Sequence, residues 1–171
     1  MIIPYQRYAY TVNGVYHCMP QRGTQFELHL KDVVRVIIVE KDHLYFNIWD
    51  PSIQDFSSPK KMSIEQFMDF FEKIEDYPKF KNQSEMFNWI WNDRIHKSQL
   101  TPDQDLLPEG HFKWHWQFLH VLPKGSYPKW KLNPENILLA TPDEHDHQEH
   151  YPYFNELRQQ YTLEYHQLYY K

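Results

Sequence analysis

Cysteine occurs once in the 171 residues, as Cys18, so the chain forms no intramolecular disulfide and no cysteine-based zinc knuckle. No apolar run approaches the roughly 18 residues that a bilayer span requires, so no membrane segment is expected. The start, MIIPYQRYAY, lacks a basic region followed by a long apolar core and does not read as a secretory signal. Net positive charge is also missing: 18 Lys and Arg against 23 Asp and Glu give -5. That balance argues against coating nucleic acid through a global positive field, while leaving a locally basic site open. Internal repeats and low-complexity tracts are absent too. These absences together point to a soluble, cytoplasmic protein.

What is present is apolar and aromatic. Hydrophobic residues make up 41% and aromatics 18%, enough for one core or one core plus a small appended module. The pattern is α+β. Residues 8–16 carry β-formers around Asn13-Gly14, a dipeptide suited to a tight hairpin turn. The run at 33–39 is nearly continuous and β-branched, and Glu40-Lys41-Asp42 can turn it into an alternating partner at 43–49. Ser63 and Gln66 have capping-box spacing, with Ile64, Phe67, Met68, Phe71 and Ile74 at helical intervals up to Pro78. A second helix after Ser84 places Met86, Phe87, Ile90, Trp91 and Ile95 on one face. Both stripes read as core.

Residues 98–110 carry two prolines and few apolar side chains and read as a linker. It separates an N-terminal mixed part, 1–97, from a C-terminal part, 111–171. Residues 111–121 suit a strand, with Phe112, Trp114, Trp116, Phe118 and His120 on one face by the two-residue period. A lysine-bearing loop follows, then a short strand at 137–140. Thr141, Pro142 and Glu144 then open a helix that can extend to about Tyr151 before Pro152. Phe154, Leu157, Tyr161 and Tyr165 give the tail a closing helix. Cys18 has no His-Asp context that would make it a nucleophile.

Chemistry concentrates between 118 and 150. His120 ends a strand, and His145 opens a helix that could bring it opposite. A histidine at such a place can act as general base. His145 and Glu149, four apart on one helix face, could offer two arms to a divalent ion, with His147, His150 and His115 as rivals. Lys124, Lys129 and Lys131 lie in the intervening loop, where they could steer a phosphate backbone. Base and ion together suit phosphodiester hydrolysis.

These residues resemble the HNH, or ββα-metal, nuclease motif. His120 stands at the first His, Asn136 at the Asn and His145 at the last His, separated by 16 and 9 residues. The phrase HVLPKGSYP also resembles HNH proteins of bacteriophages. The similarity covers about residues 111–151. It implies a C-terminal hairpin-and-helix unit acting as a metal-dependent DNA endonuclease, a phosphodiester hydrolase of the host cytoplasm if phage-encoded. His120 would be the general base, Asn136 would hold its loop, and His145 would ligate one divalent ion (Mg, Mn, Ni or Zn). The N-terminal part would serve recognition or a protein partner.

One departure stands out. Many members of that family place a metal-binding Asp or His just before the base, and Leu119 occupies that position. Either fewer protein ligands hold the ion, or a residue such as His115 substitutes, or the motif has become a binding or structural scaffold without turnover.

Overall fold

In the computed structural model, which describes residues 2–19 and 25–170, the first unit of the chain spans Met1–Asp76 and is built on an antiparallel sheet. Its strands are β1 (Arg7–Tyr10), β2 (Tyr16–Cys18), β3 (Phe26–Leu28), β4 (Val33–Val39), β5 (His43–Asp50), β6 (Asp55–Phe56) and β7 (Lys60–Ser63). Helix α1 (Ile64–Phe70) and strand β8 (Phe71–Ile74) complete it. The order is β6-β5-β4-β1-β8, with β7 also on β5, while β2 and β3 pair separately. The hairpin of β4 and β5 is the one the β-branched run foretold, and Val34, Val36, Leu44 and Phe46 are buried in it.

Two expectations fail in this unit. Gly14 does take a positive φ of 100°, but the chain around it is not a hairpin. Tyr8 and Tyr10 are buried, so β1 runs inside the sheet and pairs with β4 on one side and β8 on the other. The helix begun at Ser63 also stops early. Ser63 Oγ caps it by accepting from the Gln66 N–H at 3.1 Å. After Phe70 the backbone turns extended and hydrogen-bonds to β1 instead. Phe67 and Phe71 still stack, at 4.4 Å between ring centroids, so the apolar spacing is satisfied across a helix-to-strand junction. Met68, expected in the core, is 58% exposed.

The second unit, Tyr77–Lys171, contains α2 (Gln83–Asp93), β9 (Phe118–His120), β10 (Ile137–Leu139), α3 (Pro142–Asp146) and α4 (Pro152–Tyr169). Asn82, not Ser84, caps α2, accepting from the Glu85 N–H at 2.9 Å. Met86, Phe87, Ile90 and Trp91 bury against Trp114, Phe118, Ile137 and Leu139, which is why α2 belongs here and not with an N-terminal part ending at 97. Ile95 lies past the helix end and is exposed.

The expected linker is held into this unit. The Gln99 N–H donates to the Leu139 carbonyl at 2.7 Å, Leu106 packs on the core, and Ser98 is buried. The expected long strand at 111–121 is instead a 3-10 turn, Trp114–Gln117, followed by the three residues of β9. In a 3-10 turn residues three apart share a face. Trp114 and Gln117 therefore point inward, while Phe112 and Trp116 are exposed. β9 and β10 pair antiparallel, and α3 follows at once from Thr141 with a complete capping box and Pro142 at its first position. α4 buries Phe154, Leu157, Tyr161 and Tyr165, the stripe read from the sequence. Among the described residues no helix is long and apolar enough to cross a membrane.

Gln117 is fully buried and grips residue 107 at both polar groups: its Oε1 accepts from the Leu107 N–H at 2.6 Å and its Nε2 donates to the Leu107 carbonyl at 3.0 Å. Replacing it orphans both backbone groups. We expect Gln117→Ala to cost about 2 kcal/mol in urea unfolding, with protease cleavage appearing first between 98 and 110.

Candidate functional site

The antiparallel register of β9 and β10 sorts the site residues by face. Phe118 pairs with Leu139 and His120 with Ile137, so these four share the face that packs on α2. Leu119 and Leu138 pair on the other face, at 1% exposure each. His120 therefore looks toward the first turn of α2, with its ring centroid 6.2 Å from that of Phe87.

The two residues after His120 have both backbone polar groups hydrogen-bonded. The Val121 N–H donates to the Asn136 carbonyl at 2.9 Å, and the Val121 carbonyl accepts from Arg158 Nε at 2.8 Å. Asn136, fully buried, closes a two-bond clamp on residue 122. Its Oδ1 accepts from the Leu122 N–H at 2.8 Å and its Nδ2 donates to the Leu122 carbonyl at 3.0 Å. An asparagine amide carries a donor and an acceptor on one planar end, which is what a backbone residue requires of a partner. The clamp is itself braced. Arg94 Nη2 donates to the Pro134 carbonyl at 2.8 Å, Tyr161 Oη to the Glu135 carbonyl at 3.0 Å, and Arg94 Nη1 to the Ile137 carbonyl at 2.5 Å. Four consecutive carbonyls, 134 to 137, are thus engaged from three parts of the unit: Arg94 holds the first and last, and Tyr161 and the Val121 N–H hold the two between. A buried guanidinium hydrogen-bonded this way is costly to disturb.

The imidazole of His120 meets a polar group that the sequence reading missed. Gln83 Nε2 lies 3.0 Å from His120 Nε2, and Lys124 Nζ lies 3.1 Å from Gln83 Oε1. A lysine ammonium can only donate, so the glutamine oxygen faces Lys124 and its NH2 faces the ring. His120 Nε2 is then the acceptor and the proton sits on Nδ1. Burial, aided by the neighbouring charges of Lys124 and His145, holds the ring down at about 4, so His120 is neutral through the physiological range.

His145 occupies the last turn of α3, about a third exposed, with Nδ1 3.9 Å from Asp146 Oδ1. It is the smallest of the three causes that lower the His120 pKa. Glu149 does not join it. Helix α3 ends at Asp146, and Glu149 falls in a separate 3-10 turn, Gln148–His150, where its carboxylate faces His150 Nε2 at 3.7 Å. The shared-face argument for His145 and Glu149 required one continuous helix, and Asp143 and Glu144 end that helix by accepting from the His147 N–H. His147 Nδ1 donates to the Asp143 carbonyl at 2.9 Å, which raises its pKa and occupies it as a helix-end cap. His150 is exposed, its ring facing that of His147 at 5.7 Å. His115 is also exposed, set edge-on to Trp114.

Among the described residues no group of three His, Cys, Asp or Glu side chains converges as a metal cage. Of the candidate ligands only His145 stays on α3, and a single imidazole would need water or a bound anion to complete the coordination of an ion. Of the three loop lysines, Lys124 is tied to His120 through Gln83. Lys129 Nζ lies 4.3 Å over the Tyr169 ring, and Lys131 is exposed.

Gln83, Arg94 and Arg158 left little trace in the sequence. Gln83 lay just ahead of the expected start of α2, and the two arginines sit on helices read only for their apolar stripes.

Removing the clamp leaves the Leu122 N–H and carbonyl unpaired in a buried place. Asn136→Ala should destabilise the second unit by about 3 kcal/mol in chemical denaturation. Because the His120 pKa is depressed on folding, its contribution is present above about 6.5 and is lost as pH falls toward about 4. Wild type should therefore lose stability more steeply than His120→Gln across that window. No family model, curated protein or solved structure matches this chain.

Proposed function

We propose that this protein is an HNH-like phosphodiesterase acting on DNA, with His120 as the general base. The observation that carries the reading is the Asn136 clamp. A buried asparagine engages both polar groups of Leu122, two residues past a neutral histidine whose tautomer leaves Nε2 as the lone-pair nitrogen. Supporting it is the order of β9, β10 and α3, which sets His120 and His145 on separate elements within electrostatic reach.

In this reading His120 Nε2 takes a proton from water, the water oxygen attacks phosphorus, and the ester bond on the far side breaks. Lys124 receives the incoming phosphate. Pairing Lys124 with an anion removes a charge that depresses His120, so substrate strengthens the base it needs. A divalent ion would be held on the protein side by His145. The chemistry such an ion supplies when bound is neutralisation of charge on the phosphate and the leaving oxygen. Glu149 drops out of the ligand set. Residues 1–76 carry none of these groups and are assigned to substrate or partner recognition.

A second reading is favoured by Leu119, whose buried side chain pairs with Leu138 where a ligand would be needed. In it the hairpin and helix persist as a DNA- or protein-binding scaffold without turnover. Plasmid nicking across magnesium, manganese, nickel and zinc separates the two. Wild type should nick with at least one ion, and His120→Ala should lower the rate by about a hundredfold or more. Nicking by His120→Ala at the wild-type rate would remove the base assignment. A wild type that neither nicks nor binds these ions by calorimetry supports the scaffold.

A further inference from the structure

The nitrogen that would accept a proton from water is covered. Gln83, the first residue of α2, places its amide NH2 3.0 Å from His120 Nε2. Its oxygen is engaged by Lys124 at 3.1 Å, which fixes which end of the amide faces the ring. While that arrangement stands, the lone pair on Nε2 is committed to the amide. The proton on Nδ1 keeps the other ring nitrogen from serving as a base. Water can reach the basic nitrogen only after Gln83 leaves. Lys124 is exposed and is the group on this relay that an anion can capture.

We propose that Gln83 is a gating residue: its amide, held by Lys124, covers Nε2 of His120 until a phosphate anion draws Lys124 away and releases it. The gate takes its catalytic meaning from the hydrolase reading above and deepens it. Phosphate would be both substrate group and trigger, so the base is uncovered only where a phosphodiester is already bound. The residues that set the state of the ring are then Gln83 on α2, Lys124 in the loop, and His145 on α3, which also faces it electrostatically.

The test reads the tautomer of His120 in the full chain at neutral pH, using ring nitrogen-15 correlation spectra assigned against His120→Gln. Wild type should show one tautomer, with the proton on Nδ1. Gln83→Ala should show a mixture of both. Gln83→Glu keeps the side-chain size but can only accept, so it should move the proton to Nε2. Inorganic phosphate should shift wild type toward the Gln83→Ala mixture. Lys124→Met should start mixed and ignore phosphate. If Gln83→Ala and Gln83→Glu both keep the wild-type tautomer, or if phosphate leaves wild-type His120 unchanged, the gate is wrong. With an ion that supports nicking, Gln83→Ala should cut sub-saturating plasmid several-fold faster than wild type. A slower Gln83→Ala also overturns the gate. Should wild type nick under no ion, the hydrolase reading falls while the nitrogen spectra still decide whether phosphate moves Gln83.

Discussion

The second unit depends on one side-chain amide. Asn136 is buried without access to water, so both ends of its amide must be satisfied inside the protein, and Leu122 supplies the partners. That pairing forces the chain after His120 to leave β9 at one place and in one direction. Arg94, Tyr161 and Arg158 reach the same stretch from α2's end and from α4. The hairpin has only three residues per strand, too few to hold its geometry by ladder bonds alone. Side-chain to backbone bonds do that work instead.

The consequence for His120 is a half-buried ring in a positively biased setting. Burial and the nearby charges favour the neutral form, and the Gln83–Lys124 relay selects its tautomer. A neutral imidazole can accept a proton, but one held down at about 4 is a weak acceptor until something negative arrives. Under the proposed function, an anion at Lys124 would relieve a neighbouring charge and loosen the relay together. Burial, the larger cause of the low value, would remain.

The helix after the hairpin shows how a short element limits a site. Thr141 and Glu144 start α3 through a reciprocal cap, and Glu144 Oε2 also accepts from Ser98 Oγ at 2.6 Å. This ties residue 98 to the helix start and explains why a stretch with linker composition is ordered against the unit. The helix spans five residues, so its first and last positions are barely a turn apart. His145 stays on it; Glu149 falls beyond its end. A metal site built on four-residue spacing has no helix on which to exist.

Sequence alone determined the features that rest on local chemistry. The β4–β5 hairpin, the Thr141–Glu144 cap and the α4 stripe follow from β-branching, capping groups and helical period. Each is set by neighbours within a few residues. Only the tertiary structure decided the rest. Residues 71–74 had helical spacing but met an open strand edge, and residues 111–117 alternated like a strand but turned to bury Gln117 on Leu107. Gln83 and Lys124 are 41 residues apart, and no local pattern joins a glutamine at a helix start to a loop lysine. Backbone groups must find partners wherever the folded chain offers them, and that requirement is written in three dimensions.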